Sequence, residues 1–205
     1  MSIVFYYAPM SSAVTVHWAL EELGVPYEAV RLDLAAQETR RPEFLAINPN
    51  GKVPALVHDG TPLFESVAIL IHLGESFGVE RGLFPGPGLE RAKAIQWLVW
   101  CNVSLGEALA RFQRNVSERI PAEQRNAKAG ELGRADVEAH LDILEAALRQ
   151  SPFLAGGRFS LADLHLAGIV AYLGMLGFDV KRRPAIAAWS TACTSRPHYA
   201  TAMAS

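Results

Sequence analysis

The sequence predicts a small α/β domain over residues 1–78 followed by an all-helical domain over residues 89–205. Three observations predict it. Strand-like and helix-like patterns alternate as far as Phe77. Gly78 to Gly88, containing Leu83-Phe-Pro-Gly-Pro-Gly88, is a Pro- and Gly-rich break that reads as a linker over 79–88. Beyond it, the apolar residues recur only at helical spacing.

The elements follow in order. Ile3-Val-Phe-Tyr-Tyr7 is β-branched and aromatic, so it reads as a strand, and Pro9 ends it. Val14, Trp18 and Leu23, with Ala19 and Leu20 between them, predict a helix from Ser12 that stops at Gly24. Tyr27 to Leu32 reads as a second strand, and Ala36 to Phe44 as a polar connection. Val53 to His58 and Thr61 to Glu65 flank Asp59-Gly60, a strong hairpin signal. Ser66 then opens a helix through Val67, Ile69, Leu70, Ile71 and Leu73, with Ser66 as its N-cap. This order supplies one parallel and one antiparallel strand pairing in a single covered sheet.

In the second domain, Arg91 to Phe112 carries Ile95, Leu98, Val99 and Asn102 at helical spacing. Asp136 to Leu148 repeats the pattern with Val137, Leu141 and Leu144. Ser160-Leu-Ala-Asp163 fits a capping box flanked by Phe159 and Leu164, and it reads as a folding signal outside any active site.

Composition narrows the function. Half the residues are apolar and the net charge is −2, so no basic footprint for nucleic acid exists. No apolar run approaches the ~18 residues of a membrane span, and Met-Ser-Ile-Val-Phe-Tyr-Tyr lacks the features of a signal peptide, which predicts a cytoplasmic protein. Cys101 and Cys193 form no Cys-x-x-Cys motif and read as buried apolar residues. The six histidines show no metal-ligand spacing, and no metal is expected.

Three segments point to one ligand. Ser11 and Ser12 stand where a strand hands over to a helix, where free N–H groups and the helix dipole favour an anion such as a thiolate. Pro54 inside Val53-Pro-Ala-Leu-Val57 leaves the backbone of Val53 free to pair with an extended peptide. At the next helix start, Ser66 suits a carboxylate and Glu65 an α-ammonium. A peptide with a thiol, an amide midsection and a free amino-acid end is glutathione.

On these residues, together with Asn48-Pro49 and Phe159-Ser-Leu-Ala-Asp163, the chain resembles a bacterial glutathione S-transferase over nearly its whole length. The resemblance implies a thioredoxin-like first domain, a helical domain that holds a hydrophobic electrophile, glutathione as co-substrate, and a homodimer. Carried over by position, Val53 would bond the cysteinyl backbone beside a cis Pro54, Glu65 and Ser66 would hold the γ-glutamyl end, and Lys52 would approach the glycine carboxylate.

The thiol-activating group has three candidates. Ser11 matches the hydroxyl of the serine-using classes, Ser12 matches the beta-class cysteine, and Tyr6 or Tyr7 matches the tyrosine classes; Ser11 ranks first. Strand alternation allows only one of the two tyrosines to face the ligand. The Asn and His that beta-class enzymes take from the second domain fall on Val99 and Gly106 without gaps, so beta-class disulfide chemistry is not expected. Trp97, Trp100, Arg111, Phe112 and Arg114 lie on the helix expected to face the site. A non-catalytic binding or regulatory protein, or a glutathione-dependent peroxidase, isomerase or dehalogenase, are the rival readings.

Overall fold

In a computed structural model, which describes residues 1–204, the first domain is a four-stranded mixed sheet with helices packed on it. Its elements are β1 (Ile3–Tyr7), α1 (Val14–Leu23), β2 (Glu28–Arg31), α2 (Pro42–Leu45), β3 (Ala55–His58), β4 (Thr61–Phe64) and α3 (Ser66–Leu73). The strand order is β2-β1-β3-β4, with β1 and β2 parallel and the other pairings antiparallel. The β3–β4 turn places Asp59 and Gly60 at φ of 47° and 80°, the geometry a two-residue hairpin requires.

The second domain is helical: α4 (Leu89–Trp100), α5 (Gly106–Val116), α6 (Ala127–Leu148), α7 (Leu161–Met175), α8 (Pro184–Thr194) and α9 (Pro197–Met203). Two helices depart from expectation. The single helix predicted over Arg91 to Phe112 is α4 and α5 joined by a wide π turn over Cys101–Leu105, which apolar periodicity does not register. Helix α6 starts nine residues before Asp136, because Asn126 caps it by accepting from the Ala129 N–H at 3.0 Å.

One apolar cluster runs through both domains. Phe5 and Leu56 of the sheet pack under Val16, Leu20, Ile69 and Leu70, and the cluster continues to Leu98, Leu105, Leu141, Leu144 and Val170 of the helices. Each such side chain, fully buried, favours folding by about 1.5–3 kcal/mol over its exposed state. Charge also joins the chain's two ends. Arg196, just before α9, donates from Nε and an Nη to the two oxygens of Glu22 on α1 at 2.8 and 2.6 Å. Among the described residues, no helix is long and apolar enough to cross a membrane.

Candidate functional site

The sheet register gathers the site. Tyr6 faces Ala55 across β1–β3 and Ala55 faces Phe64 across β3–β4, so Tyr7, Pro54 and Glu65 emerge side by side at one edge. Helices α1 and α3 begin at that same edge, which brings two positive helix ends to it.

Each predicted residue has a definite place there. The Val53–Pro54 bond is cis. Ser12, exposed, donates from its hydroxyl to the Val53 carbonyl at 3.3 Å. Ser11 is committed within its own turn: its hydroxyl donates to the Ala8 carbonyl at 2.7 Å and accepts from the Ala13 N–H at 3.2 Å. For that reason α1 begins only at Val14, two residues later than predicted. Lys52 has an exposed side chain, and its carbonyl is held by the buried Asn48 amide at 2.6 Å.

The N-cap position predicted for Ser66 falls to Glu65. Ser66 is the first helical residue, and Glu65, exposed, is the N-cap at φ 69°, ψ 118°. The reason is the chain's entry into α3: Glu65 takes the turn from β4, and its carbonyl accepts from Ile69 at 3.0 Å. A non-glycine residue in such a conformation costs on the order of 1–3 kcal/mol, and such outliers gather at ligand clamps.

On the other side of Ser12 lies an apolar cavity of about 330 Å³ between the Ser11–Ser12 turn and helices α5, α7 and α9. Tyr7, Ser12, Leu109, Gln113, Tyr172 and Met175 line it. Tyr7 is therefore the tyrosine that faces the cavity, whereas Tyr6 packs on Phe44 at a ring distance of 5.8 Å. Within the cavity wall, the Gln113 amide donates to the Tyr172 hydroxyl at 2.5 Å.

The aromatic and basic residues on the helix expected to face the site do not line this pocket. Trp97 and Trp100 pack on each other at 5.1 Å, and Trp100 on His140; Phe112 packs on Phe178; Arg111 pairs with Asp136 at 2.6 Å. None of these, nor Arg114, reaches the cavity lining. The wide turn at Cys101–Leu105 separates the Trp97 segment from the part of α5 that supplies Leu109 and Gln113.

Sequence reasoning missed a polar chain behind the site, in which Thr15, His165 and Ser66 are buried and Asn102 is exposed. The Asn102 amide donates to the Ser66 hydroxyl at 3.1 Å, and its oxygen lies 2.8 Å from His165 Nε2. His165 Nδ1 lies 3.0 Å from the Thr15 hydroxyl, which is itself 3.3 Å from the Ser12 carbonyl. Burial lowers the His165 pKa to about 4, so the ring is neutral. The only sequence signal was a polar residue within an otherwise apolar helical run, at each of the two positions. Val99, where the ungapped alignment placed an Asn, is 43% exposed, and Asn102 one turn later is the residue that meets Ser66.

A second histidine, His17, lines the cavity from α1. It lies 2.7 Å from the Tyr27 hydroxyl, which donates to Glu21 at 2.5 Å. Burial lowers the His17 pKa, with Glu21 opposing. Among the described residues, no cluster of three or more His, Cys, Asp or Glu side chains is arranged to hold a metal.

A mixed sheet with a cis proline beside a strand-to-helix turn, followed by a helical domain, defines the class of two-domain proteins with a thioredoxin-like first domain. The chain matches the glutathione S-transferase N-terminal domain over residues 1–75 and the C-terminal domain over residues 111–197, and it belongs to the glutathione S-transferase family. It is 34% identical to glutathione S-transferase F10 of Arabidopsis thaliana, covering 95% of this chain and 93% of that one. It is 32% identical to the disulfide-bond oxidoreductase YfcG of Escherichia coli (strain K12), covering 95% of this chain and 91% of that one. A sphingomonad glutathione S-transferase solved in complex with glutathione superposes with a TM-score of 0.85 at 30% identity, over 98% of this chain and 97% of that one.

Proposed function

We propose that the protein is a glutathione transferase that activates the glutathione thiol with the Ser12 hydroxyl and joins it to an apolar electrophile. The observation that carries this reading is the position of Ser12, whose hydroxyl reaches Val53 on one side and lines the apolar cavity on the other. A sulfur bonded to Ser12 would stand at the boundary between a peptide-binding edge and an apolar chamber.

In this reading Val53 pairs with the cysteinyl backbone, Glu65 receives the α-ammonium, Ser66 the γ-glutamyl carboxylate, and Lys52 the glycine carboxylate. Binding places the thiol at the start of α1, where the helix end and the Ser12 hydroxyl favour the thiolate. The S–H proton leaves to solvent. The sulfur lone pair then attacks the electrophilic carbon, forming the C–S bond as the leaving group departs with its bonding electrons. Ser12 replaces Ser11 as first candidate because the Ser11 hydroxyl is spent twice within its turn. A cytoplasmic homodimer serving detoxification completes the proposal.

The name of the YfcG relative suggests a second reading, glutathione-dependent disulfide reduction. In this chain the exchanging thiols would have to be those of glutathione, because Cys101 and Cys193 are buried.

The test is ultraviolet difference absorbance of glutathione titrated into the protein across pH, followed by turnover assays with aryl halides, enones, peroxides and a dialkyl disulfide. A saturable thiolate signal with an apparent pKa below that of free glutathione, and turnover of an electrophile, is the expected result. Saturable binding without thiolate formation would replace the transferase reading with a carrier.

A further inference from the structure

The polar chain behind Ser66 has a direction, and the direction follows from counting protons. Neutral His165 carries one ring proton. Asn102 turns its NH2 to Ser66 and its oxygen to His165 Nε2, so the ring proton must sit on Nε2 to donate to that oxygen. Nδ1 is then an acceptor, and the donor beside it is the Thr15 hydroxyl at 3.0 Å. Thr15 has one hydroxyl proton and two candidate acceptors, and the Ser12 carbonyl is the more distant at 3.3 Å. Ser66, whose oxygen already accepts from Asn102, has no use for its own proton on that side.

All four donations therefore run the same way: Thr15 to His165, His165 to Asn102, Asn102 to Ser66, and Ser66 outward. Reversing the amide of Asn102 would reverse everything. Ser66 would then donate inward, the ring proton would move to Nδ1, Thr15 would donate to Ser12, and only a Ser66 lone pair would face the helix start. A carboxylate needs the first arrangement and is repelled by the second.

The chain also crosses the molecule. Thr15 is on α1, His165 on α7, Asn102 in the turn between α4 and α5, and Ser66 on α3. Gly168 permits this approach, since a Cβ there would stand 2.6 Å from the Thr15 methyl. Thr15 and His165 are each about 1% exposed, so water does not compete for the bond between them, whereas Asn102 is exposed and carries the chain to the surface at Ser66. Aligned hydrogen bonds in such surroundings polarise one another in the same sense.

We infer that Thr15, His165 and Asn102 are positioning residues that hold the Ser66 hydroxyl as an outward-directed donor for the carboxylate at the γ-glutamyl end of glutathione. This rests on the glutathione reading proposed above, and it adds a specific origin in the helical domain for recognition of that carboxylate.

The test has two arms. The first uses the wild-type protein without ligand: 15N-edited NMR of the imidazole reads which nitrogen of His165 carries the proton. Protonated Nε2 is the expected result, and protonated Nδ1 overturns the inference. The second measures binding of glutathione against cysteinylglycine, which lacks the γ-glutamyl group, by calorimetry.

Thr15→Val removes the first donor at nearly constant shape, and it should weaken glutathione about three- to tenfold while leaving cysteinylglycine within about twofold. Thr15→Ser, which keeps the hydroxyl, should restore the wild-type ratio. Asn102→Asp, which can only accept from Ser66, should weaken glutathione by more than about tenfold. Equal losses for both ligands in Thr15→Val and Asn102→Asp, with folding intact by circular dichroism, would overturn the inference. Failure of wild-type protein to bind either ligand would overturn the glutathione reading, and the NMR arm would still decide the direction of the chain.

Discussion

Replacing Ser12 and Ser11 separately by alanine distinguishes the two candidate hydroxyls, because the structure gives them opposite balances of function and stability. Ser12 is exposed and makes one long bond, 3.3 Å to the Val53 carbonyl, so Ser12→Ala should cost under about 0.5 kcal/mol of stability. A bond from Ser12 to a thiolate would be charge-assisted, worth ~1.5–3 kcal/mol. At ~1.4 kcal/mol per unit this holds the bound thiol about one to two units below its value without the bond. At pH 7 the loss would reduce the thiolate fraction, and with it the rate, roughly five- to twentyfold. Ser11→Ala instead removes bonds of 2.7 and 3.2 Å that close the turn, so it should cost about 1–2 kcal/mol and leave the thiol pKa in place. The assay is thiolate absorbance of bound glutathione against pH for both variants, with urea unfolding alongside. A raised thiol pKa in Ser11→Ala together with an unchanged one in Ser12→Ala would refute the assignment. Unchanged values in both would move it to Tyr7.

Three further outcomes are expected. A Cβ on Gly74 would lie 2.6 Å from the buried Phe84 ring, so Gly74→Ala should destabilise by about 1–3 kcal/mol in urea, and Phe84→Leu in the same chain should recover part of it. Burial drives the pKa of both thiols up, so neither Cys101 nor Cys193 should react with an aromatic disulfide reagent at pH 8 until the protein unfolds. Burial pushes the Glu22 carboxyl up, but the bonds from Arg196 and Trp18 outweigh it and hold the group below its ordinary value of 4.5. A carboxyl depressed in the folded state stabilises above that ordinary value and loses the contribution as pH falls through the folded one. Thermal melts of Glu22→Gln should therefore lie below wild type at pH 6, and the gap should close in acid.

The first domain was legible because its signals are local. The aromatic alternation of Ile3 to Tyr7 and the Asp59-Gly60 turn specify strands and register within a few residues, and register alone brings Tyr7, Pro54 and Glu65 to one edge. The helical domain was less legible where geometry, not periodicity, decides. Nothing in the apolar pattern of Arg91 to Phe112 marks a wide turn, and the first nine residues of α6 present Lys128, Glu131 and Arg134 with too few apolar positions to show a face. Helices α8 and α9, each opening on a proline, carry a start signal at Pro184 and Pro197 that apolar periodicity does not register. The Thr15–His165–Asn102–Ser66 chain was beyond any local reading. Its bonds span 150, 63 and 36 residues, and each residue alone is an ordinary polar side chain in a helix.

The lining of the cavity separates the two proposed reactions on chemical grounds. Disulfide reduction by glutathione alone needs two molecules: the first thiolate opens the substrate disulfide to a mixed disulfide, and a second attacks that intermediate to release glutathione disulfide. The second peptide would have to approach the sulfur at Ser12, and it carries two carboxylates and an ammonium. Within the cavity its polar partners would be few, since among the described residues the lining holds no lysine, arginine, aspartate or glutamate, and the histidine there is His17, whose pKa is lowered by burial. Burying unpaired charges there would cost several kcal/mol each. An uncharged electrophile with a compact apolar body faces no such cost against Leu109, Ile169 and Met175, and a single acceptor on it has Gln113 and Tyr172 within the wall. Of the two proposed reactions, transfer to an apolar electrophile is the one to which such a lining is better suited. Placing an arginine at Leu109 should shift the balance toward glutathione-dependent disulfide reduction, and an unchanged ratio of the two turnover rates in Leu109→Arg would count against the cavity as the discriminating surface.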